Sequence, residues 1–129
     1  MLLGDYSEIQ RKIGSSNPKE REEAARKIGS TFSIFETKDQ ASKDLLALTT
    51  DQDSGVRWGA AGALCSVFQY LTDKEQASKD LLALTKDEHN YVRMRATATL
   101  SSAFQFLTDK DQAWKDLLEL AKDQDSDVR

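Results

Sequence analysis

Asp39-Gln-Ala-Ser-Lys-Asp-Leu-Leu-Ala-Leu48 returns as Glu75-Gln-Ala-Ser-Lys-Asp-Leu-Leu-Ala-Leu84 and again as Asp111-Gln-Ala-Trp-Lys-Asp-Leu-Leu-Glu-Leu120. The starts at 39, 75 and 111 keep a constant interval of 36 residues without a gap. A fixed period in this range marks a solenoid, in which one small unit that cannot bury its apolar face alone stacks on its own copy. The chain therefore reads as one domain, 1–129, made of units 39–74, 75–110 and 111–129, with 1–38 as a degenerate first unit.

Each unit divides at an acidic, polar break: Asp51-Gln-Asp-Ser54, Asp87-Glu-His-Asn90 and Asp123-Gln-Asp-Ser126. Before the break, Ala41, Leu45 and Leu48 are spaced by four and three residues. After it, Val56, Ala60, Leu64, Val67 and Leu71 repeat those spacings, widened by Phe68. That is one apolar stripe at the helical period, and strand-type alternation is absent. The expected fold is all-α, with about seven helices near 5–14, 18–35, 39–50, 54–71, 75–86, 90–107 and 111–122. Asp53, Asp125 and Thr72 stand where a helix start needs a short oxygen-bearing side chain, Thr72 with Glu75 as a capping box. Pro18 falls in a first helical turn, where its missing N–H costs nothing. In the first unit Glu20 takes the place of the valine found at 56, 92 and 128, as suits a capping repeat that meets water.

The net charge of −4 makes the chain a poor general binder of phosphate backbones or anionic lipid. One cysteine, Cys65, allows no intrachain disulfide, and it is expected as a small buried residue where helices approach closely. Met1-Leu-Leu-Gly-Asp5 lacks a basic region followed by an apolar stretch, and no apolar run is long enough to span a bilayer. A cytoplasmic protein with a reduced thiol is the expectation.

The motif Asp/Asn-Pro/Ser-x-Val-Arg-x-x-Ala-x-x-x-Leu resembles the HEAT repeat, in particular the short HEAT-like repeats of archaeal and bacterial proteins and of phycobilisome-lyase-type proteins. Asn17-Pro18 with Arg21 and Ala24, Asp53 with Val56-Arg57 and Ala60, Val92-Arg93 with Ala96, and Asp125 with Val128-Arg129 carry it. Val56-Arg57-Trp58-Gly-Ala-Ala61 also looks like long HEAT arrays of methanogenic archaea. The resemblance implies stacked antiparallel helix pairs in a right-handed α-solenoid, lined on its inner surface by the second helix of each unit. It also implies a ladder in which Arg21, Arg57, Arg93 and Arg129 meet the loop acids Asp51, Asp87 and Asp123. A residue kept in every unit serves stacking, although the same arginines would also suit an acidic partner.

Little in the sequence suggests chemistry. Asp123-Gln-Asp125-Ser-Asp127 opens like an EF-hand loop but has Val128 where the glycine belongs. His89 is the only histidine, too few for a first-row metal site, and it stands where other units place helix-starting residues. No cofactor and no metal are expected. Trp58 lies about 200° around the helix from Val56, away from its own core. It either packs on a neighbouring unit or anchors a partner; Met94 and Glu22 fill the same slot. Glu23, Arg26, Lys27, Gly59, Gly62, Arg95, Thr99 and Ser102 are expected to turn away from the core on the second helices, the two glycines allowing a close approach.

The function expected is a non-catalytic scaffold that presents a concave helical surface to another protein and is a fragment of a longer array. The partner-facing set is Arg26, Lys27, Trp58, Gly62, Met94 and Arg95. The alternative is a nucleic-acid-binding module using Arg57, Arg93, Arg95 and Trp58, which the net charge disfavours. A lyase- or hydroxylase-type enzyme is the third and weakest reading. Helix 111–122, with its unmatched leucines and with Trp114, offers a surface for end-to-end self-association.

Overall fold

A computed structural model of the chain describes residues 6–34 and 38–106, with Lys115, Leu118 and Glu119. Six α-helices follow one another: α1 (Ser7–Ile13), α2 (Pro18–Thr31), α3 (Lys38–Leu48), α4 (Ser54–Val67), α5 (Lys74–Leu84) and α6 (Asn90–Ala103). They form three antiparallel pairs, and no strand occurs among the described residues. The architecture is the expected α-solenoid. The seventh helix expected at 111–122 falls largely outside the described residues. No helix among these is long and apolar enough to cross a membrane.

The helix starts show why the acidic breaks divide the units. Asn17, Asp53 and His89 hold extended backbone and turn a side-chain acceptor back onto the first turn of α2, α4 and α6. Asp53 accepts from the Val56 N–H at 3.1 Å. Helix α5 starts one residue later than a Thr72 cap would place it: Asp73 accepts from the Gln76 N–H at 3.0 Å, and Thr72 stands outside. A carboxylate both caps the orphan N–H groups and opposes the positive end of the helix, so it outcompetes the neighbouring threonine.

The second helices also end earlier than the stripe suggested. Each tightens into a 3₁₀ turn, at Phe32–Ile34, Phe68–Tyr70 and Phe104–Phe106. Val67 (φ −108°, ψ −5°) breaks the helical bonding before Phe68. The tighter winding turns Phe68 into the core, where it is 1% exposed. Leu71 then runs extended, its N–H donated to the Phe68 carbonyl at 3.2 Å, and it remains buried.

One apolar core runs through all three pairs. Ile28, Leu45, Val56, Leu64, Leu81 and Val92 are sealed from solvent in it. The first unit differs from the later ones. Glu20 stays partly exposed and accepts from Ser15 Oγ at 2.9 Å. Tyr6 pins α1 to the next unit by donating its hydroxyl to Asp44 at 2.9 Å. Burial, then that bond, drive its phenol far above the ordinary range.

Second helices contact each other along their length, α2 on α4 and α4 on α6, far more than the leucine-rich first helices do. Small residues permit this. A Cβ on Gly29 would lie 3.0 Å from both Cα and Cβ of Ala63, and one on Gly59 would lie 3.0 Å from Cγ of Glu22. Across α4 and α6, the buried Thr99 hydroxyl donates to the Ala61 carbonyl at 2.9 Å. The separation of two helices follows the size of the side chains between them. The second-helix side is therefore the tighter, inner one.

Candidate functional site

The inner face carries an open groove of about 320 Å³ where α2, α4 and α6 meet. Its rim and floor are set by Arg26 and Ser30 of α2, Trp58, Gly62 and Ser66 of α4, and Arg95 of α6. Trp58 is partly buried against the core, and the Arg95 guanidinium lies over its ring, 4.1 Å from the centroid. Gly62 makes room for that guanidinium. A Cβ there would stand 3.1 Å from Nη1 and 3.2 Å from Cζ of Arg95. A cation placed this way over an indole face is held by the ring quadrupole and by lost side-chain freedom together.

Among the described residues, Arg95 donates to no oxygen and pairs with no carboxylate. Arg26, on the opposite rim, is largely exposed and lies 3.6 Å from Glu22, with Glu23 also in its field. The other arginines differ. Arg11 pairs with Glu8 at 2.6 Å, and Arg21, Arg57 and Arg93 are engaged at the loops.

Of the partner-facing set read from the sequence, Arg26, Trp58, Gly62 and Arg95 come together at this groove. Lys27 and Met94 do not line it. Lys27 is exposed farther round α2, and Met94 is partly exposed beside Arg95 on α6. Gly59 and Thr99 were expected to turn away from the core, but they are buried. A second helix is covered by its own first helix and by the neighbouring second helix, so its free face is narrower than one unit suggests. Glu23 and Ser102 are exposed, and Glu23 binds Lys12 at 3.0 Å. Ser30 and Ser66 were missed as lining residues. Their signal was available, because serine recurs at 30, 66 and 102 in the 36-residue register.

The loop side of the array holds the arginine ladder. Arg21 grips Asp51 through Nε and Nη2 at 2.8 and 3.0 Å, and Arg57 grips Asp87 at 2.7 and 3.1 Å. The remaining nitrogen turns to its own loop, Arg21 to the Ser15 carbonyl and Arg57 to those of Asp51 and Gln52. Arg93 likewise donates to the Asp87 and Glu88 carbonyls. Asp123 and Arg129 lie outside the described residues. Burial alone would raise the Asp51 and Asp87 carboxyls. The bidentate guanidinium and a backbone N–H, from Asp53 or His89, outweigh it and hold both below the ordinary range. Bonding to Asp87 raises Arg57 in turn. Planar two-point contacts of this kind fix the register of one unit on the next.

Cys65 is exposed, not buried. It lies one residue, about 100°, beyond the core position Leu64, and the close contact of α4 with α6 runs through Ala61 and Thr99 instead. His89 uses Nδ1 to accept from the Tyr91 N–H at 3.3 Å at the start of α6. Among the described residues, no group of three or more His, Cys, Asp or Glu is placed to hold a metal ion.

The family model for HEAT repeats matches residues 9–101, and the chain belongs to the HEAT-repeat family. Members of this family are generally protein-interaction scaffolds. The crystal structure of an engineered protein is similar in fold, with a TM-score of 0.70 and 21% identity. The alignment covers 98% of this chain and 58% of that one. No curated protein sequence matches.

Proposed function

We propose that the chain is a non-catalytic scaffold that receives another protein on its inner face, at the groove between α2, α4 and α6. One observation supports this most: the groove is built where the repeat breaks. The ladder keeps arginine at 21, 57 and 93, and the core keeps alanine at 24, 60 and 96 and aliphatic residues at 28, 64 and 100. Serine persists at 30, 66 and 102, but the larger groove residues do not recur: the register slot of Trp58 holds Glu22 and Met94, that of Arg95 holds Glu23 and Gly59, and that of Arg26 holds Gly62 and Ala98. Stacking asks the same of every unit, so a surface that departs from the register answers to something else.

Two observations weigh against the nucleic-acid reading, although Arg95 remains open to an anion. Arg57 is held by Asp87, and one face of Trp58 is covered by Arg95, which leaves little for base stacking. The test is a photo-crosslinking residue at Ser66, inside the groove, against the same residue at Ala47, exposed on α3. A discrete protein adduct from Ser66 alone is expected. Equal capture from both positions, or capture of nucleic acid only, would refute the reading.

A further inference from the structure

We infer that the groove is a carboxylate receptor, so that the partner presents an acidic segment whose Asp or Glu side chain is gripped by Arg95. This rests on the reading of the groove as the partner site and adds the chemistry of what enters it.

Arg95 is not a ladder residue, and its slot holds Gly59 and Glu23 in the preceding units. Its guanidinium is seated on the Trp58 ring and over Gly62, yet among the described residues its N–H groups have no oxygen partner. No side-chain polar atom among the described residues is buried without a partner, so those N–H groups face solvent rather than a sealed cavity. A flat, five-donor cation held by one face, with unpaired N–H groups that solvent reaches, is suited to two-point binding of a carboxylate. The aromatic seat has already restricted the long side chain, which lowers the ordering cost of binding.

The surroundings favour a side-chain carboxylate over a polyanion. Arg26 adds a second cation on the opposite rim, loosely engaged at 3.6 Å from Glu22. The chain as a whole carries −4, and Glu22 and Glu23 stand beside the groove, so a strand of phosphates would be repelled at its flanks. A single carboxylate can pair with Arg95 on the rim opposite Arg26 and its partner Glu22.

The test uses the full chain carrying Trp114→Phe, so that Trp58 is the single tryptophan. Its fluorescence is followed on adding a blocked hexapeptide of alternating glutamate and leucine, the glutamine counterpart of that peptide, or a twelve-residue oligothymidylate. The acidic peptide should perturb Trp58 saturably, weaken with salt, and bind at least about tenfold tighter than its glutamine counterpart, as expected of a charge-assisted pair. Arg95→Gln should remove that preference. Arg95→Lys, which keeps the charge but not the fork, should lose about three- to tenfold. Gly62→Ala, which crowds the guanidinium from its seat and leaves Arg95 in place, should weaken the acidic peptide as well.

Equal binding of the two peptides, an unchanged preference in Arg95→Gln, or tighter binding of the oligothymidylate would overturn the inference. If Ser66 still crosslinks a protein from Arg95→Gln as it does from the unmodified chain, the partner site stands and the carboxylate chemistry falls. If neither crosslinking nor peptide binding occurs, both fall.

Discussion

Gly29 and Ala63 stand against each other so closely that a Cβ on Gly29 would lie 3.0 Å from the Cα of Ala63. The obstacle is backbone, which has nowhere to move without separating α2 from α4. Gly29→Ala should therefore lose stability, about 1–2 kcal/mol net, because overpacking outweighs the roughly 1 kcal/mol that alanine adds to a helix. Gly62→Ala meets only the side-chain end of Arg95, which can shift at the expense of its contact with Trp58, so the net change should stay within about 1 kcal/mol of zero. Urea unfolding of the two variants gives the comparison, and equal effects would contradict this account of how the inner helices approach.

The Arg57–Asp87 bridge joins two units through a pair whose side chains are 11% and 9% exposed. Asp87→Asn should cost about 1–2 kcal/mol, the value of a charge-assisted bond reduced for solvent screening. A double-mutant cycle with Arg57→Gln should show coupling of about 1 kcal/mol, since each change removes the same contact. Additive losses would mean that each residue acts only through its own loop.

Asp51 and Asp87 titrate below their ordinary value of 3.8 in the folded chain. A carboxyl depressed in this way supports the fold fully above that ordinary value, which the unfolded chain recovers, and loses the support as pH falls through the lower folded one. Stability should hold down to about pH 4 and then fall. Asp51→Asn/Asp87→Asn should be less stable at neutral pH and flatter below about pH 4. Urea midpoints from about pH 7 to about pH 2 follow both chains, and parallel curves would locate acid sensitivity elsewhere.

How far the molecule was legible in its sequence depended on the range of the interaction. Interactions within one helix were readable: the stripe of Val56, Ala60 and Leu64, the caps at Asp53 and His89, and Pro18 in its first turn. Competition between adjacent residues was harder. Thr72 and Asp73 are both plausible caps, and only the charge on the second decides. Burial arising between helices was harder still. Gly59 and Thr99 lie off the stripe of their own helix and are covered by the next one. In the groove, Trp58 and Arg95 could each be named from their departure from the stripe. Their meeting at 4.1 Å depends on how α6 crosses α4, which Gly62 and the Thr99–Ala61 bond control and no single-helix pattern encodes.

Asp53 and His89 occupy the same register position, yet they begin their helices unequally. The Asp53 carboxylate accepts from Val56 at 3.1 Å, whereas His89 offers Nδ1 to Tyr91 at a longer 3.3 Å. An ionised carboxylate can accept several N–H groups and opposes the positive helix end, which a neutral imidazole cannot do. Asp53→Ala should cost about 1 kcal/mol, and His89→Asp should add about 0.5 kcal/mol, a gain trimmed by the acids at 87 and 88. Thermal melts of both variants decide the matter, and a stabilised Asp53→Ala or a strongly destabilised His89→Asp would show that these starts are held by tertiary contacts rather than by their caps.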